Sequence, residues 1–167
     1  MILDILKFPD PGLKQIADEV TAFDADLHTL LDSMAETMYS AHGIGLAATQ
    51  VGKLLRLFVI DVGMQDGISG KLFEFINPKI SEPEGSIAYE EACLSVPGVS
   101  EEVNRRQKVV VNFQNRMGSP QRMIVEGLLA VAVQHENDHL DGILFVDRLT
   151  PFKRRITKKK MEKALNF

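Results

Sequence analysis

The sequence predicts an α+β protein. Two observations carry this reading: the middle of the chain holds β-like runs joined by a tight turn, and helix-patterned segments flank it. A chain of 167 residues, 45% hydrophobic and 25% charged, suits one globular domain spanning 1–167 with a sizeable core.

The elements follow in order. Between Asp24 and His42, Leu27, Leu30, Leu31, Met34 and Met38 recur at helical spacing, and Gly43 supplies a stop. Leu55 to Asp61 is β-like and mostly apolar, which suggests a buried strand. Lys108 to Gln114 alternates, with Val109, Val111 and Phe113 on one face. The stretch Asn115 to Pro120 then turns the chain, and Gln121 to Val125 returns as a hairpin partner. Gly127 to Leu140 reads as a second helix, strongly apolar through Val133, with Gly142 just beyond. Thr150 followed by Pro151 suits the N-cap and first position of a third helix, running to about Leu165. His28, in the first helix, reads as solvated.

Composition narrows the setting. No apolar run approaches the ~20 residues that span a bilayer. The opening MILDILKFPDPG carries Asp4 and no basic region, so no secretory signal is expected. Cys93 is the one cysteine, which excludes an intrachain disulfide and fits a reducing cytoplasm. Neither a membrane nor DNA is expected as a partner. Charge is segregated: from Pro151 to Phe167 there are seven basic residues against one acid, net +6, leaving −10 for the rest of a chain of net −4.

The sharpest chemical feature is His135-Glu136-Asn137-Asp138-His139. Residues four apart share a helix face, so two imidazoles can grip one metal ion while Glu136 lies beside them, able to take a proton from water. Only four His occur in the chain, and two sit in this spacing around a Glu. A catalytic site needs a third ligand. Phe145 stands where one zinc-protease motif has its further His, and Glu162, the only Glu downstream, lies in the basic tail. Cys93 is the remaining strong candidate. A thiolate with two imidazoles suits Fe(II), Zn(II), Co(II) or Ni(II), and suits Mg or Ca poorly. Cys93 lies between the acids Glu90 and Glu91 and a Ser-Val-Pro-Gly turn, which does not look like core. A third segment, Gly43 to Gly52, is rich in small residues. No Lys-Ser or Lys-Thr follows it, so a P-loop is not expected.

Together these segments closely resemble the three signature blocks of peptide deformylases. They read GIGLAATQ at Gly43 to Gln50, EACLS at Glu91 to Ser95 and QHENDHLDG at Gln134 to Gly142, in the family's order. Ala92 departs from the family, standing where the second block has Gly. His42 stands at a position that is often acidic in relatives.

The resemblance implies antiparallel β-sheets around a central helix carrying the His-Glu-x-x-His motif, with an N-terminal helix and a C-terminal helix. It implies a hydrolase that removes the formyl group from the N-terminal formyl-methionine of new polypeptides. Cys93, His135 and His139 would hold one divalent ion, Fe(II) in the cell and Zn, Ni or Co as alternatives on purification, with water in the fourth position. Glu136 would carry the proton, while Gln50 and the Leu94 backbone N–H would stabilise the oxyanion. Gly43, Ile44 and Gly45 would pair with the peptide backbone. Leu128, Val131 and Ala132, which lie on the helix face of His135, would line the methionine pocket. The resemblance also suggests ribosome docking through the basic helix at 151–167, where Arg155, Lys159 and Lys163 form a row opposite a packing stripe of Thr157, Met161, Ala164 and Leu165. The rival reading is a metallopeptidase of the same His-Glu-x-x-His chemistry acting on internal peptide bonds.

Overall fold

The computed structural model describes residues 1–63 and 70–165. Among the described residues the elements run α1 (Ala25–Ser40), β1 (Gly45–Ala47), β2 (Leu57–Ile60), β3 (Phe73–Glu84), β4 (Ile87–Cys93), β5 (Val96–Arg105), β6 (Lys108–Gln114), β7 (Pro120–Glu126), α2 (Gly127–Leu140) and α3 (Pro151–Leu165). Short 3-10 turns occupy Pro11–Lys14, Ala48–Val51 and Phe145–Arg148. The strands form a five-stranded antiparallel sheet in the order β1-β2-β3-β6-β7, with a separate β4-β5 hairpin. This is the expected α+β class, built around α2.

Helix α1 starts where the Asp24 carboxylate accepts the Leu27 N–H at 3.0 Å. Its apolar stripe of Leu27, Leu31, Met34 and Met38 is buried against β1 and β2. The β6-β7 hairpin forms because Asn115 Oδ1 accepts the N–H groups of Met117 and Ser119, each at 3.0 Å, closing the turn. Helix α2 is buried nearly all round from Ala130 to Val133. Its Ala130, Ala132, Val133 and Leu140 pack with Phe58, Phe75, Val109, Val111 and Val125 of the sheet. Each such Val or Phe contributes about 1.5–3 kcal/mol on burial. This core therefore fixes the helix that carries the motif. Beyond α2, Gly142 has φ +73°, and a Cβ there would overlap the Lys14 carbonyl oxygen.

Several elements are not evident in the sequence. β3 contains Pro78 and Pro83, and its pairing with β6 shifts register between Ile76 and Lys79 and again between Ser81 and Glu84, so no clean alternation exists. β4 does alternate, but its inward set includes Glu91 among Tyr89 and Cys93, so hydrophobicity alone hides it. The expected Ser-Val-Pro-Gly turn lies earlier: Leu94 and Ser95 make the turn, and Val96 to Gly98 already belong to β5. Within the small-residue segment, Gly45–Ala47 forms a strand. His28 is not simply solvated; its ring Nε2 donates to the Arg116 carbonyl at 2.8 Å, and the residue is half-buried.

Helix α3 begins at Thr150, whose hydroxyl accepts the Lys153 N–H at 3.3 Å. It buries Thr157 and Met161 and half-buries Ala164, whereas Leu165 is 48% exposed and stands off the packed stripe. Arg155, Lys159 and Lys163 are all exposed. Residues 166–167 of the expected tail lie outside the described residues. No described helix is long and apolar enough to cross a membrane.

Candidate metal centre and cleft

Two structural elements bring the three candidate ligands together. Helix α2 presents His135 and His139 on one face, and the end of β4 presents Cys93. All three side chains are buried, and their ligand atoms lie within 4.8 Å of one another. Cys93 Sγ is 3.3 Å from His139 Nε2. Ligands held tetrahedrally at ~2.0 and ~2.3 Å from a metal lie about 3.5 Å apart, so the set has the right span for one ion.

The imidazoles are prepared for ligation. His135 Nδ1 donates to Glu91 Oε1 at 2.8 Å, which leaves Nε2 as the ring nitrogen for the cluster. Burial alone would lower the His135 pKa, but Glu136, Cys93 and Glu91 beside it hold it well above 6.5, so a metal would displace a proton from Nε2 on binding. Burial, with His135 and Arg105 nearby, pushes His139 well below 6.5, so it stays neutral with a lone pair to give. Glu91 is itself anchored by Arg105, which donates to it from Nε at 2.7 Å and Nη2 at 2.9 Å. Sequence reasoning noted Glu91 only as a neighbour of Cys93. Its contact with His135 spans 44 residues, a pairing that helix spacing cannot reveal.

Glu136 is buried beside the cluster, with Oε2 4.0 Å from His135 Nε2. Its other oxygen, Oε1, is buried without a hydrogen-bond partner among the described residues. A buried carboxylate oxygen in that condition marks a place for a bound polar group. Burial, partly offset by His135 and Arg105, pushes this carboxyl up to about 7. Gly45 makes room for it, since a Cβ there would lie 2.6 Å from Glu136 Oε2.

Gln50, in the 3-10 turn after β1, is buried. Its Oε1 accepts the Ala47 N–H at 2.9 Å, which directs Nε2 towards Ser95 Oγ at 3.0 Å and Cys93 Sγ at 3.6 Å. The buried Ser95 was not singled out from sequence. Leu94 follows Cys93 in the turn and packs so close to Gly43 that a Cβ on the glycine would sit 2.7 Å from Leu94 Cδ1.

These groups open into a cleft of about 290 Å³. One wall is His42 to Gly45, another is Tyr89 to Leu94, and the floor is Leu128, Val131, Ala132, His135 and Glu136 of α2. Ile44 thus lines the same cleft as the α2 residues. Ala92 is exposed on the β4 wall, so its methyl group adds bulk at the mouth and displaces no catalytic group. β1 is the last strand of its sheet, and β4 pairs only with β5 among the described strands, so an unpaired edge borders the cleft on each side.

Known proteins share this sequence pattern and backbone. The model of the polypeptide deformylase family matches residues 2–155. A peptide deformylase of Helicobacter pylori is 49% identical over 166 residues, covering 98% of this chain and 93% of the relative. One from Xylella fastidiosa is 48% identical over 165 residues, covering 97% and 95%. The crystal structure of a peptide deformylase from Legionella pneumophila superposes with a TM-score of 0.91 at 44% identity, covering 99% of this chain and 96% of that one. A Synechococcus elongatus peptide deformylase in complex with actinonin gives a TM-score of 0.89 at 41% identity, covering 96% and 88%. With sequence and backbone both matching across the stretch that builds the cleft, the chain belongs to the polypeptide deformylase family.

Proposed function

We propose that this chain hydrolyses the formyl amide of N-terminal formyl-methionine on newly made polypeptides, releasing formate, with Fe(II) held by Cys93, His135 and His139 and Glu136 as proton carrier. The observation that carries this reading is the unpartnered Glu136 Oε1 beside three converging ligand atoms, at the floor of a cleft bordered by two free strand edges. Family membership supports the reaction, while the thiolate-imidazole donor set supports the choice among transition metals. Zn, Ni or Co would occupy the same ligands after purification. When bound, a divalent ion supplies Lewis acidity and can bring the pKa of water from ~15.7 towards ~7.

The protein groups perform the rest. Glu136 takes a proton from the attacking water and hands it to the leaving amine, a task suited to a carboxyl near neutrality. The Gln50 amide and the Leu94 N–H donate to the oxyanion forming on the formyl carbon; one such donor is worth ~2.7–4 kcal/mol of barrier. Because Ala47 fixes the Gln50 oxygen, its NH2 need not reorganise to meet that charge. The peptide lies extended along Gly43, Ile44 and Gly45, adding a strand at the β1 edge. Its methionine side chain enters between Ile44 and the α2 face of Leu128, Val131 and Ala132. The reaction takes place in the cytoplasm, and the exposed basic face of α3 docks on ribosomal RNA, a polyanion, near the emerging substrate.

The test is anaerobic purification with metal analysis, then incubation with formyl-Met-Ala and with an N-blocked, unformylated peptide. Formate release from the first and no cleavage of the second is expected. Cleavage of the internal bond in the second, without formate from the first, would move the chain to the metallopeptidases.

A further inference from the structure

Arg148, at the end of the last 3-10 turn, takes no part in the cleft, yet it ends a continuous chain of charges that reaches it. Its guanidinium forks onto Asp138, with Nη2 2.7 Å from Oδ1 and Nε 3.0 Å from Oδ2. Asp138 Oδ2 also accepts Arg105 Nη1 at 2.7 Å. Arg105 gives its other two bonds to Glu91, whose Oε1 receives His135 Nδ1–H. The signs alternate along Arg148, Asp138, Arg105 and Glu91 before the chain ends on the imidazole.

The inner three members are buried, and Arg105 is shared between two carboxylates. Arg148, by contrast, has a side chain 47% exposed. If Arg148 is removed, Arg105 becomes the only cation on Asp138 among the described residues. A buried carboxylate deprived of one partner draws harder on the partner that remains. Arg105 then shifts towards Asp138 and loosens its two-point hold on Glu91, and with it the alignment of His135. Partners at one remove from a metal commonly matter 10–100-fold in metal affinity. A residue three contacts further out is expected to matter less, and measurably.

We propose that Arg148 is a positioning residue for the metal centre: by compensating Asp138, it frees Arg105 to clamp Glu91, which keeps His135 presented to the ion. This rests on the metal-hydrolase reading above. The alternative is a purely structural clasp that pins the Phe145–Arg148 turn to α2.

The experiment uses the cobalt-loaded protein. Cobalt release into excess chelator and the visible cobalt spectrum are measured for wild type, Arg148→Gln, Arg148→Lys, Glu91→Gln and the Glu91→Gln/Arg148→Gln double variant. Release about three- to tenfold faster in Arg148→Gln is expected, with a shifted spectrum and partial recovery in Arg148→Lys, which restores charge without the fork. In the double variant, Arg148→Gln should add nothing to Glu91→Gln, because the path runs through Glu91. Unchanged release and spectrum in Arg148→Gln, even with a lowered Tm, overturns the proposal and leaves the clasp. Fully additive effects in the double variant overturn it as well. Wild-type protein that binds no cobalt overturns the metal reading, and this proposal with it.

Discussion

Glu136 and Cys93 are the residues whose substitution separates chemistry from architecture. Glu136→Gln keeps the shape of the side chain but cannot accept a proton. Metal content and Tm should stay near wild type while turnover of formyl-Met-Ala falls by well over tenfold; a smaller loss would take the proton-carrying role away from Glu136. Cys93→Ser replaces a thiolate with a harder, less acidic hydroxyl. Iron content measured after anaerobic purification should drop, or the metal mixture should change. Unaltered iron with unaltered turnover would remove Cys93 from the ligand set. The residues of the signature blocks were readable in advance because their spacing is local: His135 and His139 share one helix face by helical geometry. The supporting residues were not readable. Glu91, Arg105 and Ser95 act through contacts that span tens of residues, and each looks like an ordinary polar residue in the sequence.

At the scale of elements, the join after α2 is the sensitive point. Gly142 combines φ +73° with a Cβ position that overlaps the Lys14 backbone. The left-handed conformation costs a non-glycine residue ~1–2 kcal/mol, and overpacking adds ~1–3 kcal/mol. Gly142→Ala should therefore lose about 2–5 kcal/mol, seen in thermal unfolding as a Tm lower by roughly 4 °C or more. A Tm within a degree of wild type would mean that the Pro11–Lys14 turn moves aside at no cost. Helix α3 buries less, with Thr157 and Met161 inside and Thr157 and Lys160 tied to Glu101. Its boundaries were nonetheless legible, because the Thr150-Pro151 start signal is local. β3 was hidden for the opposite reason, since two prolines and two register shifts break its period.

The whole molecule carries its charge unevenly, and two expectations follow from that. The first concerns acid stability. Burial would raise the Asp147 carboxyl, but the Leu144 N–H and Lys14 outweigh it and hold it below its ordinary 3.8. Glu91, likewise raised by burial alone, is held below 4.5 by Arg105 and His135. In both cases the unfolded chain takes up protons before the folded one does. The stabilisation is therefore complete above about pH 4.5 and is lost as pH falls through the lower folded-state values. Urea midpoints should fall on the acid side of about pH 4.5, and Asp147→Asn should make this acid limb shallower. An identical limb in the variant would contradict the assignment. The second concerns α3. With Arg155, Lys159 and Lys163 changed to Glu, co-sedimentation with bacterial ribosomes at low salt should be lost, while turnover of a free formyl-Met peptide is kept. Wild-type binding should itself fade steeply with salt. Equal pelleting of both proteins, or of neither at low salt, would reduce the row to a solvated face.

The sequence by itself determined whatever depends on neighbours along the chain. That includes the helix periods of α1 and α2, the β6-β7 hairpin, the start of α3, and the three segments that mark the family. It also determined the donor types at the centre, because thiol and imidazole chemistry does not depend on the fold. The tertiary structure decided how those segments meet. It set β1 as an edge beside the cleft, turned Glu91 inward on β4, and buried Glu136 with one oxygen unpartnered. It also linked Arg148 to His135 through three intervening charges. Those outcomes depend on burial and on contacts between distant residues, and both quantities exist only once the sheet, the hairpin and α2 have closed on one another.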